Sequence, residues 1–175
     1  NTFYLKEKIK NFLDKNNFAV DISIIEDGNE ILNTGGGILN MINSSTENDF
    51  LVFNPDTLWG KNYLEEVKKM EKLYFSNKVQ NILMVVNKDL SFDKSLKGDF
   101  NLKKIILNKE EKNNFIYTGC QIINKNLFDK YEISNFSINN IWDKLIKRNC
   151  LYGYESKTSF YHLTNFEIYK KLLKY

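Results

Sequence analysis

The sequence predicts an α/β fold, a sheet with helices packed on its faces, and three observations carry that expectation. Two near-continuous apolar runs, "DFLVFN" from Asp49 and "NILMVV" from Asn81, suit buried strands of a parallel sheet better than half-exposed ones. Between them "YLEEVKKMEKLYF" spaces Leu64, Val67, Met70, Leu73 and Tyr74 at helical intervals, completing a βαβ crossover. The rest of the chain keeps alternating helix-period and β-branched segments, the pattern of a layered α/β domain.

Taken in order, Phe3, Leu5, Ile9, Phe12 and Leu13 predict a first helix over residues 2–15. "FAVDISIIED" from Phe18 is rich in β-branched residues and reads as a strand closed by a turn at Gly28. Ile38, Leu39, Met41 and Ile42 mark a short helix behind the glycine run. After the crossover, "GDFNLKKIILN" and "NNFIYTGCQIIN" read as two strands joined by a charged stretch, Lys109 to Lys112. "NLFDKY" and "INNIWDKLIKRN" are short helices, "CLYGYES" and "SFYHL" strands, and "NFEIYKKLLKY" a closing amphipathic helix.

Composition bounds the function. At 175 residues and 42% hydrophobic content the chain can bury the core of one domain, so residues 1–175 are expected to form a single domain. No run approaches the ~20 apolar residues of a membrane span and no signal-peptide core opens the chain, which fits a cytoplasmic protein without a membrane partner. The charge of +3 is spread along the chain, without the concentrated basic face that nucleic acid requires. Cys120 and Cys150 stand far apart with no metal-site spacing, as reduced thiols do. The chain begins at Asn1, without an initiator Met, and runs almost at once into a helical pattern; a missing beginning is expected.

Two loops have unusual chemistry. In open α/β sheets ligands bind beyond the carboxyl ends of the strands. Thr34-Gly35-Gly36-Gly37 offers backbone without Cβ atoms at a helix start, where amides approach a base, ribose or phosphate; the same run also reads as a plain flexible connection. In "FNPDTLW", Asp56 follows a strand and the chain's single proline, Pro55. A carboxylate there can hold Mg²⁺ against a phosphate, or cap the next helix within an ordinary turn. With one histidine, His162, the chain has neither a Ser-His-Asp triad nor a multi-His zinc site.

Together, "LNTGGGILNMI" and "FLVFNPDTLW" resemble the sugar-1-phosphate nucleotidyltransferases, in particular the short bacterial branch with an "L-E-T-G-G-G" loop and a strand ending "F-x-V-x-N-G-D", which includes N-acetylmuramate-1-phosphate uridylyltransferase and mannose-1-phosphate guanylyltransferase. "GDF" at Gly98 to Phe100, "YTGCQII" from Tyr117 and "FSINNIWDKLIKRNCLYGY" from Phe136 resemble later motifs of the same branch. There are departures. Asn33 replaces the Glu of the glycine loop and Pro55 the Gly of "N-G-D". His162-Leu163-Thr164-Asn165-Phe166-Glu167 stands where the family has "D-V-G-T-P-E" or a form beginning with His. The family's first strand and Gly-rich signature loop have no counterpart in the sequence.

The resemblance implies a Rossmann-like mixed sheet with helices on both faces, of the nucleotide-diphospho-sugar transferase type and truncated at its N-terminus. It implies transfer of a nucleotidyl group from UTP or GTP to a sugar 1-phosphate, releasing pyrophosphate, in cell-envelope or peptidoglycan-recycling metabolism. Thr34, Gly35 and Gly36 would contact the nucleotide, Asn54 and Gly119 the sugar, and Asp56 would be the catalytic Mg²⁺ ligand with His162 as a second metal position. Thr118 and Gln121 are further pocket candidates; Trp142 and Asp143 read as a core anchor and a structural carboxylate. Without its signature loop the fragment itself is expected to be inactive, and the other reading is a sugar-nucleotide-binding module without catalysis.

Overall fold

The structure, a computed structural model, describes residues 1–174. In chain order its elements are α1 (Lys6–Asp14), α2 (Asn33–Ile42), β1 (Asp49–Phe53), α3 (Asn62–Ser76), β2 (Asn81–Asn87), β3 (Asn101–Lys103), β4 (Ile106–Asn108), β5 (Phe115–Asn124), α4 (Asn139–Lys147), β6 (Gly153–Ser156) and α5 (Phe166–Leu172). Two compact units emerge: Asn1–Asn48 with Lys125–Asp143, and Asp49–Asn124 with the residues from Lys144 onward.

The second unit holds a mixed four-stranded sheet in the order β1-β5-β2-β6. β2 lies at its centre, antiparallel to β5 and parallel to β6, and Ile82 to Val86 are wholly inaccessible to solvent. β1 is also antiparallel to β5. β1 and β2 therefore run in the same direction with β5 between them, and α3 makes the expected crossover. Its Tyr63, Met70 and Tyr74 pack with Ile82, Met84, Cys120 and Ile122 in one buried cluster. α3 ends after Ser76, where Lys78 takes a left-handed φ of 51°. Val86, Ile116 and Phe160 form a further cluster.

Several expectations are corrected. β1 is not a buried parallel strand; it is an antiparallel edge strand, and with β5 as its one neighbour Leu51 and Phe53 remain exposed. "GDFNLKKIILN" is a hairpin, β3 and β4, because Lys104 turns the backbone at φ 58°. "SFYHL" joins no ladder; it makes single bridges, Phe160 with Ser91 and His162 with Thr57.

In the first unit, Phe18 to Asp27 forms no strand apart from a bridge between Glu26 and Thr2, with Thr2 N donating to Ile25 O (2.8 Å) and Asp27 N to Thr2 O (3.0 Å). β-branched residues favour a pleated surface with neighbours, and no second strand lies beside this segment among the described residues. The first helix is shorter than its pattern, Lys6–Asp14, and buries none of its residues; Phe12 and Ile9 are exposed. Glu26 ties the segment to α1 through Lys6 (2.7 Å) and Lys10 (3.0 Å), and these bonds hold its carboxyl below the usual range. Both pairs are exposed, and such pairs contribute little to stability.

Candidate functional site

The best-organised chemistry lies at the exit of β1, in the second unit. Asn54 N donates to Gly119 O (2.7 Å), and the Trp59 indole N–H returns to Asn54 O (3.0 Å). Thr57, buried, donates its hydroxyl to Thr118 O (2.8 Å), and Leu58 N donates to Tyr161 O (2.9 Å). Leu163 N closes the arrangement by donating to Asp56 O (2.8 Å). The loop that carries Asp56 is thus fixed on β5 and on the segment carrying His162. A carboxylate placed by a fixed backbone costs little to orient when a ligand arrives.

β5 contributes through an irregularity. Its register against β2 passes from Leu83 opposite Gln121 to Val85 opposite Tyr117, so Thr118, Gly119 and Cys120 bulge opposite Met84. Thr118 closes the bulge by donating its hydroxyl to Met84 O (3.0 Å), leaving its own carbonyl for Thr57. Gly119 sits at φ 88°, and a Cβ there would meet the Asn54 Cβ at 2.8 Å. Glycine is required here twice over, by conformation and by the approach of Asn54.

The bridge between Thr57 and His162 brings His162 Nε2 to 3.4 Å from Asp56 Oδ2. The other oxygen, Asp56 Oδ1, is buried with no hydrogen-bond partner among the described residues, although the side chain as a whole is half exposed. An unpartnered buried carboxylate oxygen is costly unless a cation completes it. Two donors that share one divalent ion at ~2.0–2.2 Å stand roughly 3.0–3.5 Å apart, and the Asp56–His162 pair has that separation. The spacing of the two side chains fits a shared divalent cation. Among the described residues no group of three or more His, Cys, Asp or Glu side chains converges on a metal position.

Asp99, of "GDF", is the acid that sequence reasoning left without a role. Tyr117 N donates to its Oδ2 (2.9 Å), and the charge of Lys109 acts on it. Although the residue is exposed overall, the surroundings of its carboxyl raise its pKa; burial is the largest cause, opposed by that hydrogen bond and by Lys109. Its signal was the motif itself, an acid beside a glycine packed so tightly on Asn113 that a Cβ would lie 2.4 Å from backbone.

In the first unit the glycine run is the opening turn of α2, and Gly35, Gly36 and Gly37 are all buried. Gly35 N and Gly36 N donate to Phe136 O (2.9 and 3.2 Å), and Thr34 Oγ1 accepts from Ile138 N (3.0 Å). A Cβ on Gly35 would meet the Phe136 ring at 2.4 Å and one on Gly36 the Ser134 carbonyl oxygen at 2.0 Å. Close packing on residues 134–136 accounts for these glycines; Thr34 alone of the predicted nucleotide contacts is exposed. Trp142 is buried, as a core anchor is, and in the second unit Gln121 is buried within β5.

The chain has a mixed α/β fold that matches the nucleotidyltransferase-type folds of its structural neighbours. Among solved structures the chain is similar to HddC from Yersinia pseudotuberculosis complexed with GMP-PN, with a TM-score of 0.74 and 22% identity over 98% of this chain and 75% of that one. It is similar also to the inositol-1-phosphate CTP transferase from T. maritima (TM-score 0.68, 14% identity, 97% and 71% covered) and to apo-UDP-glucose pyrophosphorylase (TM-score 0.66, 18% identity, 98% and 72% covered). At these identities the likeness is one of fold. No protein-family model matches the chain, and no curated protein matches it significantly. Among the described residues no helix is long and apolar enough to cross a membrane.

Proposed function

We propose that this protein transfers a nucleotidyl group from a nucleoside triphosphate, UTP or GTP, to a sugar 1-phosphate, yielding a nucleotide sugar and pyrophosphate in the cytoplasm for cell-envelope or peptidoglycan-recycling metabolism. The observation that carries this reading is the Asp56–His162 pair, held by five backbone-directed hydrogen bonds at a strand exit of a nucleotidyltransferase-type fold. In the reaction a phosphate oxygen of the sugar attacks the α-phosphorus, and the bond to pyrophosphate breaks. Such chemistry needs in-line positioning and positive charge on the phosphates more than a covalent nucleophile. A bound divalent cation, Mg²⁺ in the simplest reading, supplies that charge. Asp56 and His162 would hold it, and Asn54, packed over Gly119, would contact the sugar; of the glycine run, exposed Thr34 is the residue that a nucleotide could meet.

The test is a panel of sugar phosphates and triphosphates with the protein, scored by pyrophosphate release. One productive pair, lost in Asp56→Asn, is the expected outcome; silence across the panel refutes the catalytic reading. A second reading, a sugar-nucleotide-binding module without turnover, draws on Thr34, exposed at the start of α2. It predicts calorimetric binding of a nucleotide sugar and no pyrophosphate from any pair.

A further inference from the structure

We infer that a lysine-lined cavity at the end of β2 is a second site, built for a small polar ligand that carries two phosphoryl groups. Neither Asp56 nor His162 lines it, and its chemistry is independent of the reaction proposed above.

The cavity measures about 590 Å³, within the roughly 300–1,000 Å³ of small-molecule sites. Lys88, Lys94, Lys97 and Lys112 line it from two directions. The first three follow β2, and the fourth lies in the segment that leads into β5. Both walls are held by hydrogen bonds to backbone: Lys88 N donates to Asn114 O (2.9 Å), Asn114 N to Phe100 O (3.1 Å), and Asn101 Nδ2 to Lys112 O (2.8 Å). The walls touch at Gly98, where a Cβ would lie 2.4 Å from the Asn113 backbone. The concavity is therefore a property of the backbone, and a ligand that enters it finds its shape already formed.

Its charges are unmatched. Elsewhere on the chain lysines meet acids: Lys6 and Lys10 share Glu26, and Lys68, Lys69 and Lys170 each pair with a glutamate three residues earlier. None of the four cavity lysines has a carboxylate partner among the described residues, and Glu111, the one acid lining the cavity, pairs with none of them. Lys94 Nζ donates to the Asp89 carbonyl (2.8 Å) and Lys88 Nζ lies 3.5 Å from the Asn113 carbonyl, so each ammonium keeps donors to spare. Like charges around one cleft repel one another and focus their field into it, which an anion relieves. Four lysines against one glutamate leave a local excess of three positive charges. One phosphoryl group brings about −1.5 to −2 at pH 7 and leaves part of that excess; two cover it. The remaining lining is Ser95, Asn113 and Asn114 with a half-buried Leu96. These side chains suit a bare diphosphate or a polyol bisphosphate, whereas a nucleobase finds no aromatic ring to stack on.

Calorimetry in EDTA, which removes divalent cations, and at fixed ionic strength tests the cavity with four probes: pyrophosphate, fructose 1,6-bisphosphate, orthophosphate and glucose 1-phosphate. One of the first two is expected to bind saturably and at least tenfold more tightly than either single-phosphoryl probe. The better of the two tells whether the phosphoryl groups sit side by side or at the ends of a polyol. Lys97→Gln with Lys112→Gln replaces two exposed side chains, so the fold should survive by circular dichroism while that binding weakens at least tenfold. Lys8→Gln with Lys15→Gln, a change of the same charge on exposed residues of the first unit, should alter it less than twofold. Absence of saturable binding, equal affinity for one and two phosphoryl groups, or equal loss in the two double variants overturns the inference; the last would mean that the probes read net charge alone. The pyrophosphate-release panel stands apart from these readouts. Selective binding in EDTA with no turnover leaves the cavity assigned and removes the proposed reaction, whereas turnover with no binding in EDTA does the reverse.

Discussion

Replacing Gly36 by alanine sets two opposing effects of known size against each other. In an isolated helix the change stabilises by ~1 kcal/mol, since glycine is the poorer helix former. Here the new Cβ would lie 2.0 Å from the Ser134 carbonyl oxygen, well over an ångström inside ordinary contact, with Leu32 Cβ a further 3.1 Å neighbour. Overpacking of this kind costs about 1–3 kcal/mol. To relieve it, α2 must withdraw from residues 134–136, which stretches the bonds from Gly35 N and Gly36 N to Phe136 O, at ~1 kcal/mol each. The net expectation is destabilisation by roughly 2–4 kcal/mol, a fall in Tm of about 5–15 °C for a chain of this size. Urea unfolding followed by Trp142 fluorescence in a Trp59→Phe background reports on the unit that contains α2. Gly60→Ala is the control, since nothing lies within 4 Å of its Cβ position, and it should be neutral. A midpoint for Gly36→Ala that is unchanged or raised would mean that helix propensity outweighs contact, and that α2 does not pack on Ser134 as described.

Four further outcomes follow from the same geometry. Gly119→Ala should cost about 2–4 kcal/mol in chemical denaturation, from the left-handed φ of 88° and the Asn54 contact together; a loss under 1 kcal/mol would place the bulge elsewhere. Thr57→Val keeps the side-chain shape but strands the Thr118 carbonyl, so about 1–3 kcal/mol should be lost and most of it restored by Thr57→Ser. Burial pushes the Cys120 thiol up to about 12, so at pH 8 it stays protonated and inert; Ellman titration should find one reactive thiol, Cys150, in the native protein and two after denaturation. In a productive assay of the full-length enzyme, Asp56→Asn should lower kcat by two orders of magnitude or more, each ~1.4 kcal/mol of lost transition-state stabilisation being tenfold, and near-wild-type turnover at saturating metal would move the cation elsewhere.

How much of this was legible in the sequence depended on the range of the interaction. β2 and the helices α3, α4 and α5 could be read from apolar spacing, because the period of each lies within one segment. β1 misled because the same apolar run serves a buried strand and an edge strand; the difference lies in the neighbour, and "DFLVF" does not say that β5 alone will flank it. Asp56 was found from local grammar, an acid and a proline at a strand exit. Its partner was not, in that sense: "SFYHL" alternates like a strand, yet His162 owes its position to one bridge with Thr57, more than a hundred residues earlier in the chain. The glycine run shows the same limit. Its meaning as a packing surface required Ser134 and Phe136, which no local pattern connects to residues 35 and 36.

The interruption of β5 at Gly119 divides the strand mechanically. On one side, Cys120 to Asn124 are laddered to β1, and Gln121 to Ile123 to β2 as well; on the other, Phe115 to Tyr117 are laddered to β2. Motion in the β3–β4 hairpin region, which reaches β5 through the Phe100–Phe115 bridge, therefore meets a joint before it reaches the Asp56 loop. The Asp56 loop is anchored at the joint itself, through Gly119 O and Thr118 O. A bulge that looks like a defect in the ladder thereby frees the two carbonyls that hold the Asp56 loop in place.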